Sequence, residues 1–315
     1  MYNSIITGTG YYVPENVVTN DDLSKLMDTS DAWIQERTGI QQRHFATRGK
    51  DTTTSMGVRA AQMAMEKAHI AKEDIDFLIF ATLSPDYYFP GCGVLAQREL
   101  GLNTIGALDI RNQCSGFIYA LSVADQFIKT GMYKNILVIA SEMQSPALDL
   151  TTRGRNMAVL FGDGAGAAVL SRSEKQGKGI LSSHLHSEGA HAEELAIITP
   201  GVGKKWVTDL LKENNPEDTS YFPYMNGQFV FKNAVVRFSE VIIEGLKANK
   251  LTESDINLFI PHQANLRISQ FIQQKFNLPD AKVFNNIQKY GNTTAASIAI
   301  ALAEAVEQGR VKEND

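Results

Sequence analysis

The chain has 315 residues, of which 43% are hydrophobic and 21% charged, values typical of a globular protein with a large buried core. Its formal net charge of −5 argues against a nucleic-acid-binding protein, which usually carries a basic surplus. The start lacks a secretory signal, no run is long enough to span a membrane, and two cysteines cannot form a disulfide framework, so we expect a cytoplasmic protein.

Short apolar runs alternate with longer helical patterns along the chain. Predicted strands lie at 76–81, 105–110, 136–140, 158–161, 165–170, 256–260 and 282–284. Predicted helices lie at 57–69, 115–129, 228–249, 265–277 and 293–308. Strands that are apolar throughout and separated by helices favour sheets covered on both faces, so the pattern predicts an α/β protein.

An internal repeat divides the chain. Residues 66–84 resemble residues 246–263, and the predicted elements that follow also match in order. The repeat predicts two similar α/β halves, 1–172 and 173–315, joined by a polar, glycine-containing linker near 171–179. The second half stops where the first continues into further strands, so we expect the corresponding last strands to lie outside this sequence.

Cys114 is the first candidate for chemistry. It lies in "QCSGF", between a predicted strand and the predicted helix 115–129. Free amides at a helix N-terminus favour a thiolate, so this position predicts a lowered pKa and a nucleophile. Buried cysteines are often only small apolar residues, and this stretch alone leaves both interpretations open.

His262 and Asn292 are candidate partners for the thiol. His262 follows the predicted strand 256–260 in "PHQAN", and Asn292 lies in "GNTTAAS" at a turn into a helix. Either residue could be structural, since Asn after Gly is common in turns and caps. In the repeat, however, Asn292 corresponds to Cys114, which predicts that both turns face one central site with His262.

Several other features indicate packing rather than chemistry. Cys92, in "PGCGVLAQ", reads as the start of a packing helix. The run "FGDGAGAAV" lacks dinucleotide-binding spacing and predicts glycines that allow close backbone approach. His184, His186 and His191 could suggest a metal, with the first two on one face of a strand. No carboxylate or thiol completes a ligand set, so we expect no metal.

Four motifs at matching places resemble the β-ketoacyl-[acyl-carrier-protein] synthase III family: "QCSGF", "GDGAGAAVL", "PHQANLRI" and "GNTTAAS". The stretch "TSDAWIQERTGIQQRH" is also similar, and the resemblance covers essentially the whole chain. It implies the thiolase-like fold, with two α/β halves in a layered α-β-α-β-α arrangement.

The resemblance also implies a reaction. The residue matching Cys114 is acylated by an acyl-CoA, and those matching His262 and Asn292 bind a malonyl-carrier-protein thioester. Decarboxylation then gives a carbanion that attacks the acyl-enzyme, which is a decarboxylative Claisen condensation that initiates fatty-acid synthesis. No cofactor is implied beyond the coenzyme A and carrier-protein thioesters. Part of the family's oxyanion hole comes from a C-terminal glycine-rich loop that this sequence does not contain.

Only some of the family's residues at the substrate entrance have clear counterparts in this sequence. Trp33 and Arg37 match residues that contact the adenine end of coenzyme A. In the family, a second entrance arginine lies a fixed distance before the Phe-Gly-Asp-Gly run, and this distance places it at Arg155. That arginine is usually followed by a glycine, however, and in this sequence the arginine-glycine pair is Arg153-Gly154. Phe89 matches a residue that reaches the partner subunit's acyl pocket, which implies a homodimer.

A basic surface for acyl carrier protein is also implied. Lys232 and Arg267 match basic residues of that surface, and a third falls on Gln274 with Lys275 beside it. Carrier proteins are acidic, so a local basic patch would steer one to an acidic enzyme. A solvated surface charge is the alternative for each residue.

Three other functions compete with this reading. The chain could be a family member that condenses longer or unusual acyl groups in a specialised, polyketide-like pathway. It could be a cysteine-dependent acyltransferase or thioesterase without condensation, although two donor loops beside the thiol argue against that. It could also be an inactive partner subunit, against which the presence of Cys114, His262 and Asn292 argues.

Overall fold

We describe the protein from a computed structural model, which defines residues 2–175, 177–199 and 218–312. A five-stranded sheet forms its centre, with the spatial order β1-β7-β6-β4-β5. Its strands are β1 (Asn3–Tyr12), β4 (Phe77–Ala81), β5 (Gly106–Ile110), β6 (Asn135–Glu142) and β7 (Gly164–Ser173). β4 runs parallel to β5 and β6, whereas β7 is antiparallel to β1 and β6.

Shorter elements complete the strands. Two small ribbons pair β2 (Val17–Thr19) with β3 (Gln42–His44), and β8 (Leu195–Ala196) with β9 (Tyr224–Met225). The α-helices of the first half are α1 (Asn20–Ser24), α2 (Asp31–Thr38), α3 (Thr53–Ala68), α4 (Cys92–Leu100), α5 (Gly116–Lys129) and α6 (Arg155–Ala158). Those of the second half are α7 (Gly227–Asn249), α8 (Leu266–Lys275), α9 (Ile287–Tyr290) and α10 (Ala296–Glu307).

The sheet is covered on both faces, as its uniformly apolar strands predict. In β4, Leu78 and Phe80 pack with α3 and α4, while Ile79 and Ala81 point to the opposite face. That second face is covered by α5 and by α10, which comes from the other half of the chain. Alternation along each strand therefore fills two separate cores.

Glycines bring the layers unusually close. A methyl group on Gly10 of β1 would lie 2.3 Å from the Ala60 carbonyl oxygen of α3. A methyl group on Gly166 of β7 would lie 2.5 Å from the Ala299 methyl of α10. The predicted role of the run "FGDGAGAAV" is thus confirmed, because Gly166 lets α10 lie directly on the sheet.

The predicted five layers are present, but the second sheet is reduced. In the described residues, the predicted strands 256–260 and 282–284 amount to one parallel bridge between Phe259 and Val283. Phe259 and Val283 pack with α7 and α8 on one side, and the adjoining Leu258 and Phe284 pack with α10 on the other.

One further predicted strand is absent, and one strand of the structure was not predicted. Residues 158–161 are not a strand, because α6 occupies Arg155–Ala158 and the apolar side chains that follow pack against α1 and α2. β1 was not predicted, since its glycines and threonines interrupt the apolar pattern. Among the described helices, none combines the length and the apolar content that a membrane span requires.

Candidate active site

Cys114 lies in a short 3-10 turn, Gln113–Ser115, between the end of β5 and the start of α5. The preceding Gln113 has a φ of 44°, a left-handed conformation that is costly for a side chain of this kind. The predicted strand-to-helix position is therefore confirmed. A sharp turn of this type presents the partly buried thiol at the carboxyl edge of the sheet.

The predicted lowering of the Cys114 pKa is wrong. Burial, and to a smaller extent the charge of the Glu142 carboxylate, raises the pKa of the thiol to about 12. Removing the sulfur from water and placing it beside a like charge both disfavour the thiolate. These two effects exceed the lowering of the pKa by a backbone hydrogen bond to the sulfur, so Cys114 is a thiol at neutral pH.

Glu142 was not anticipated as part of the site. It ends β6 and is fully buried, and burial raises the pKa of its carboxyl to about 7. Hydrogen bonds from the loop after β4 oppose that rise, the shortest being 2.7 Å from Ser84 Oγ to Glu142 Oε2. A lone acidic residue ending the apolar run "ILVIAS" is the sequence signal that could have identified it.

His262 follows the Phe259–Val283 bridge and is held by α10. Its Nδ1 lies 2.5 Å from Ser297 Oγ, and burial lowers the pKa of its imidazole to about 4. The ring is therefore neutral at physiological pH. When the Ser297 hydroxyl donates to Nδ1, the ring proton lies on Nε2, which is then a donor. Ser297, a polar residue on the buried face of the predicted helix 293–308, was also missed.

Backbone hydrogen bonds to the first half of the chain hold Asn292 in place. Its N–H donates to the Leu160 carbonyl at 2.8 Å, and its carbonyl accepts from the Gly162 N–H at 3.1 Å. The side-chain Oδ1 accepts from the Thr294 N–H at 2.9 Å, which orients the amide. In the described part of the chain Nδ2 makes no hydrogen bond, so it is available to a substrate oxygen.

These three segments meet at the start of α10. Gly116, two residues after Cys114, packs so closely on this helix that an added methyl would lie 3.2 Å from that of Ala295. Asn292 leads into α10, and His262 is bonded to Ser297 in its first turn. A thiol, a neutral imidazole and a free amide donor around one helix start can bind and polarise a thioester.

The entrance residues form a stack on the surface. The Arg37 guanidinium lies 4.5 Å from the Trp33 ring centroid, and the Arg155 guanidinium lies 5.2 Å from it. Arg153 points elsewhere, with its Nε 2.6 Å from the Asp149 carboxylate and its guanidinium near the Phe222 ring. The geometry thus brings Arg155, and not Arg153, to Trp33.

Phe89 lies at the tip of the loop before α4. It is 82% exposed and its neighbour Tyr88 is 78% exposed, with the two rings 6.5 Å apart. β5 forms the nearby edge of the central sheet and exposes Leu108. A loop that exposes two aromatic rings beside a sheet edge is typical of a surface that contacts another protein.

The three predicted carrier-protein residues all lie on the surface. Lys232 is exposed on α7, and Arg267 is exposed on α8, where its guanidinium lies 5.7 Å from the Phe231 ring. Phe231 precedes Lys232, so this contact joins the two helices that carry Lys232 and Arg267. Lys275 is exposed at the end of α8, two helical turns farther on.

The remaining candidates have structural surroundings. Cys92 begins α4, is fully buried, and has a pKa raised by burial to about 11, which fits packing. His184 and His186 lie in an irregular segment, not in the predicted strand, and both contact the Glu244 carboxylate. His191 meets the Phe229 ring edge to face, with the ring centroids 4.6 Å apart. No group of side chains that could hold a metal is found in residues 2–175, 177–199 and 218–312.

Comparisons with known proteins agree on one family. Residues 108–189 match the family described as 3-Oxoacyl-[acyl-carrier-protein (ACP)] synthase III, and residues 246–315 match its C-terminal part. A relative from Rhodospirillum centenum, a beta-ketoacyl-[acyl-carrier-protein] synthase III, is 43% identical over 99% of this chain and 93% of its own. The crystal structure of 3-oxoacyl-[acyl-carrier-protein] synthase III from Aquifex aeolicus is 44% identical, with a TM-score of 0.89 over 99% of this chain and 93% of that one. A priming beta-ketosynthase from the R1128 polyketide biosynthetic pathway is 32% identical, with a TM-score of 0.86 over 98% and 89%.

Proposed function

The chain belongs to the 3-oxoacyl-[acyl-carrier-protein] synthase III family, and we propose that Cys114, His262 and Asn292 carry out the reaction of this family. The protein is an acyl-transferring condensing enzyme that joins an acyl-CoA to malonyl-acyl carrier protein and so starts fatty-acid synthesis. The convergence of the three segments at the start of α10 supports the residue assignment.

Cys114 acts first in this scheme. Its sulfur attacks the carbonyl carbon of the acyl-CoA, a carbon–sulfur bond to Cys114 forms, and the bond to the coenzyme A sulfur breaks. The thiol proton leaves Cys114, and the departing coenzyme A sulfur takes up a proton. The acyl group is then held as a thioester, which divides one difficult step into two easier ones.

His262 and Asn292 act in the second step. His262 Nε2–H and Asn292 Nδ2–H donate to the carbonyl oxygen of the malonyl thioester, which becomes an enolate oxygen as carbon dioxide leaves. The enolate carbon attacks the acyl-Cys114 thioester, the bond to Cys114 breaks, the departing sulfur takes up a proton, and the 3-oxoacyl thioester is released. A neutral imidazole suits this role, because when the Ser297 hydroxyl donates to Nδ1 the ring proton lies on Nε2 and can be donated to the substrate.

The surfaces around the site are assigned to the two substrates and to a second subunit. The Trp33, Arg37 and Arg155 stack binds the adenine end of coenzyme A through its ring face and its phosphates through the guanidinium groups. Lys232, Arg267 and Lys275 receive the acidic carrier protein. No cofactor is required beyond the two thioesters, and the two free cysteines fit a cytoplasmic location.

A homodimer is part of the proposal. Phe89 and Tyr88 are exposed beside the free edge of β5, where a second copy of the chain would cover them. The partner's copy of this loop would then reach the acyl pocket. The oligomeric state is measured by sedimentation, and Phe89→Asp is expected to give a monomer with altered acyl-chain preference.

The residue assignment is tested by intact mass. Wild-type protein incubated with a panel of acyl-CoAs should gain one acyl mass, and malonyl-acyl carrier protein should then yield a 3-oxoacyl product. Cys114→Ser should gain no acyl mass, whereas Cys92→Ser, its matched control, should behave like wild type. His262→Ala and Asn292→Ala should acylate but fail to release carbon dioxide. Acylation of Cys114→Ser would refute the nucleophile assignment.

A specialised condensation is the second candidate. The similarity to a priming ketosynthase of a polyketide pathway favours it, and so do the bulky aromatic residues that precede α4. The same acyl-CoA panel separates the two, because a fatty-acid primer enzyme prefers short acyl groups. A thioesterase would release free acid from acyl-Cys114 without carbon dioxide.

A further inference from the structure

A buried arginine close to the Asn292 segment has no role in the reaction as assigned. Arg43 is the middle residue of β3, and its side chain has no exposure to solvent. A guanidinium stays protonated in proteins, and burying it without an opposite charge is unfavourable. Its three acceptors are all neutral, and its Nε has no hydrogen-bond partner among the described residues. The groups that it binds therefore indicate what it organises.

The guanidinium of Arg43 joins two separate parts of the chain. Nη1 donates to Asn20 Oδ1 at 2.7 Å and to the Val18 carbonyl at 3.3 Å, in and directly after β2. Nη2 donates to the Val159 carbonyl at 2.8 Å, at the start of the segment 159–163 that follows α6. Arginine presents its donors in a rigid planar fork, so these bonds hold the segment at a set distance from β2.

This segment is the one that pairs with Asn292. Its Leu160 carbonyl and its Gly162 N–H are the two partners of the Asn292 backbone, at 2.8 and 3.1 Å. At its far end the Asp163 N–H donates to the His44 carbonyl of β3 at 2.8 Å. The segment is thus fastened to β3 at both ends, by the Arg43 side chain at one and by a backbone bond at the other.

Arg43 also packs directly against this junction. A methyl group on Gly162 would lie 3.0 Å from the Arg43 Cβ, and one on Gly291 would lie 3.4 Å from it. Gly291 has φ 64° and ψ −158°, a conformation that almost only glycine adopts, and a methyl group there would lie 2.8 Å from the Leu160 carbonyl oxygen. With so little free space, a displacement of the Arg43 side chain would be passed on to the backbone of both segments.

We propose that Arg43 is a positioning residue for decarboxylation: its guanidinium holds the segment 159–163 in place, and this segment aligns the Asn292 amide with the malonyl thioester oxygen. A donor stabilises an enolate oxygen only at short distance, and a misplacement of about 1 Å can cost about 100-fold in rate. Acylation of Cys114 does not use the Asn292 amide, so the two steps should respond differently. The inference rests on the proposed roles of Asn292 and Cys114.

The test compares the two steps in the same samples. Intact mass measures acylation of Cys114 at saturating acyl-CoA, and carbon dioxide release from malonyl-acyl carrier protein measures decarboxylation. Arg43→Met removes the charge and the donors, and it should acylate like wild type but release carbon dioxide about 10- to 100-fold more slowly. Arg43→Lys keeps the charge without the planar fork and should release carbon dioxide at an intermediate rate.

Arg310→Met is the matched control. The Arg310 guanidinium also donates to a backbone carbonyl, that of Ala281 at 2.8 Å, but this carbonyl lies outside the segment that pairs with Asn292. Arg310→Met should therefore match wild type in both steps.

A double variant shows whether Arg43 acts through Asn292. Arg43→Met combined with Asn292→Ala should release carbon dioxide no more slowly than Asn292→Ala alone, whereas two independent effects would multiply. Should Arg43→Met fail to fold by circular dichroism, Asn20→Ala decides. It leaves Arg43 in place, removes the 2.7 Å acceptor, and should slow carbon dioxide release about two- to tenfold without slowing acylation.

Three results would overturn the inference: wild-type carbon dioxide release in Arg43→Met, or in Asn20→Ala where that variant decides; an equal loss of acylation; or multiplied losses in the double variant. Asn292→Ala that releases carbon dioxide like wild type would instead refute the proposed function.

Discussion

Replacing Ser297 with alanine removes the 2.5 Å hydrogen bond to His262 Nδ1. Ser297 is 2% exposed, so water cannot readily take the place of its hydroxyl. A buried polar atom left unpaired costs about 1–3 kcal/mol. If this cost falls on the transition state of decarboxylation, the rate drops about 5- to 150-fold, since each 1.36 kcal/mol is a factor of ten.

Carbon dioxide release from malonyl-acyl carrier protein measures this rate, and intact mass measures acylation of Cys114 in the same samples. Ser297→Ala should acylate like wild type and release carbon dioxide slowly. Ser239→Ala is the matched control, because Ser239 is also a buried helical serine but donates to the Val235 carbonyl in α7. Undiminished carbon dioxide release, or an equal loss of acylation, would refute the role of Ser297.

Three further predictions concern stability, coenzyme A and the carrier protein. The pKa of His262 falls from an ordinary 6.5 to about 4 in the folded protein, so the unfolded chain binds the extra proton. The stability that this group contributes should therefore be complete above pH 6.5 and be lost as the pH falls towards 4. Urea titrations should show that the free energy of unfolding falls by at most about 3 kcal/mol over this range. A His262→Asn variant should lack this loss. Arg155→Ala should raise the KM for acyl-CoA about tenfold while Arg153→Ala leaves it nearly unchanged, and the reverse ranking would contradict the Trp33 stack. Lys232→Glu combined with Arg267→Glu should slow the reaction with malonyl-carrier protein at low salt but not acylation by acyl-CoA, and equal rates in stopped-flow would contradict the docking surface.

The elements that could be predicted from the sequence are those with a local signal. The three- and four-residue spacing of α5 and the apolar run of β4 each determine an element within a few residues. β1 lacks such a signal, because Gly10, which leaves space for α3 to pack on the strand, interrupts the apolar pattern. The run 256–260 does have the pattern of a strand, but a strand also needs hydrogen-bonding neighbours, and that requirement is not local.

The same distinction applies to the candidate site. Cys114, His262 and Asn292 could be placed because each follows a strand or begins a helix. The charge state of Cys114 could not, since burial in the packed structure, and to a smaller extent the charge of Glu142 from a different strand, raises the pKa of its thiol. Ser297 was missed for a related reason: its partner His262 belongs to another segment, and only the packed structure joins them.

The backbone bonds of Asn292 have a consequence for how substrates enter. This residue from the second half is paired on both sides with Leu160 and Gly162 of the first half. A hinge motion that parted the halves would break these bonds and withdraw the amide from the substrate. We therefore expect the two halves to stay together during catalysis, so that substrates enter without a hinge opening between them. A cross-link that joins the halves outside the entrance should then leave turnover unchanged.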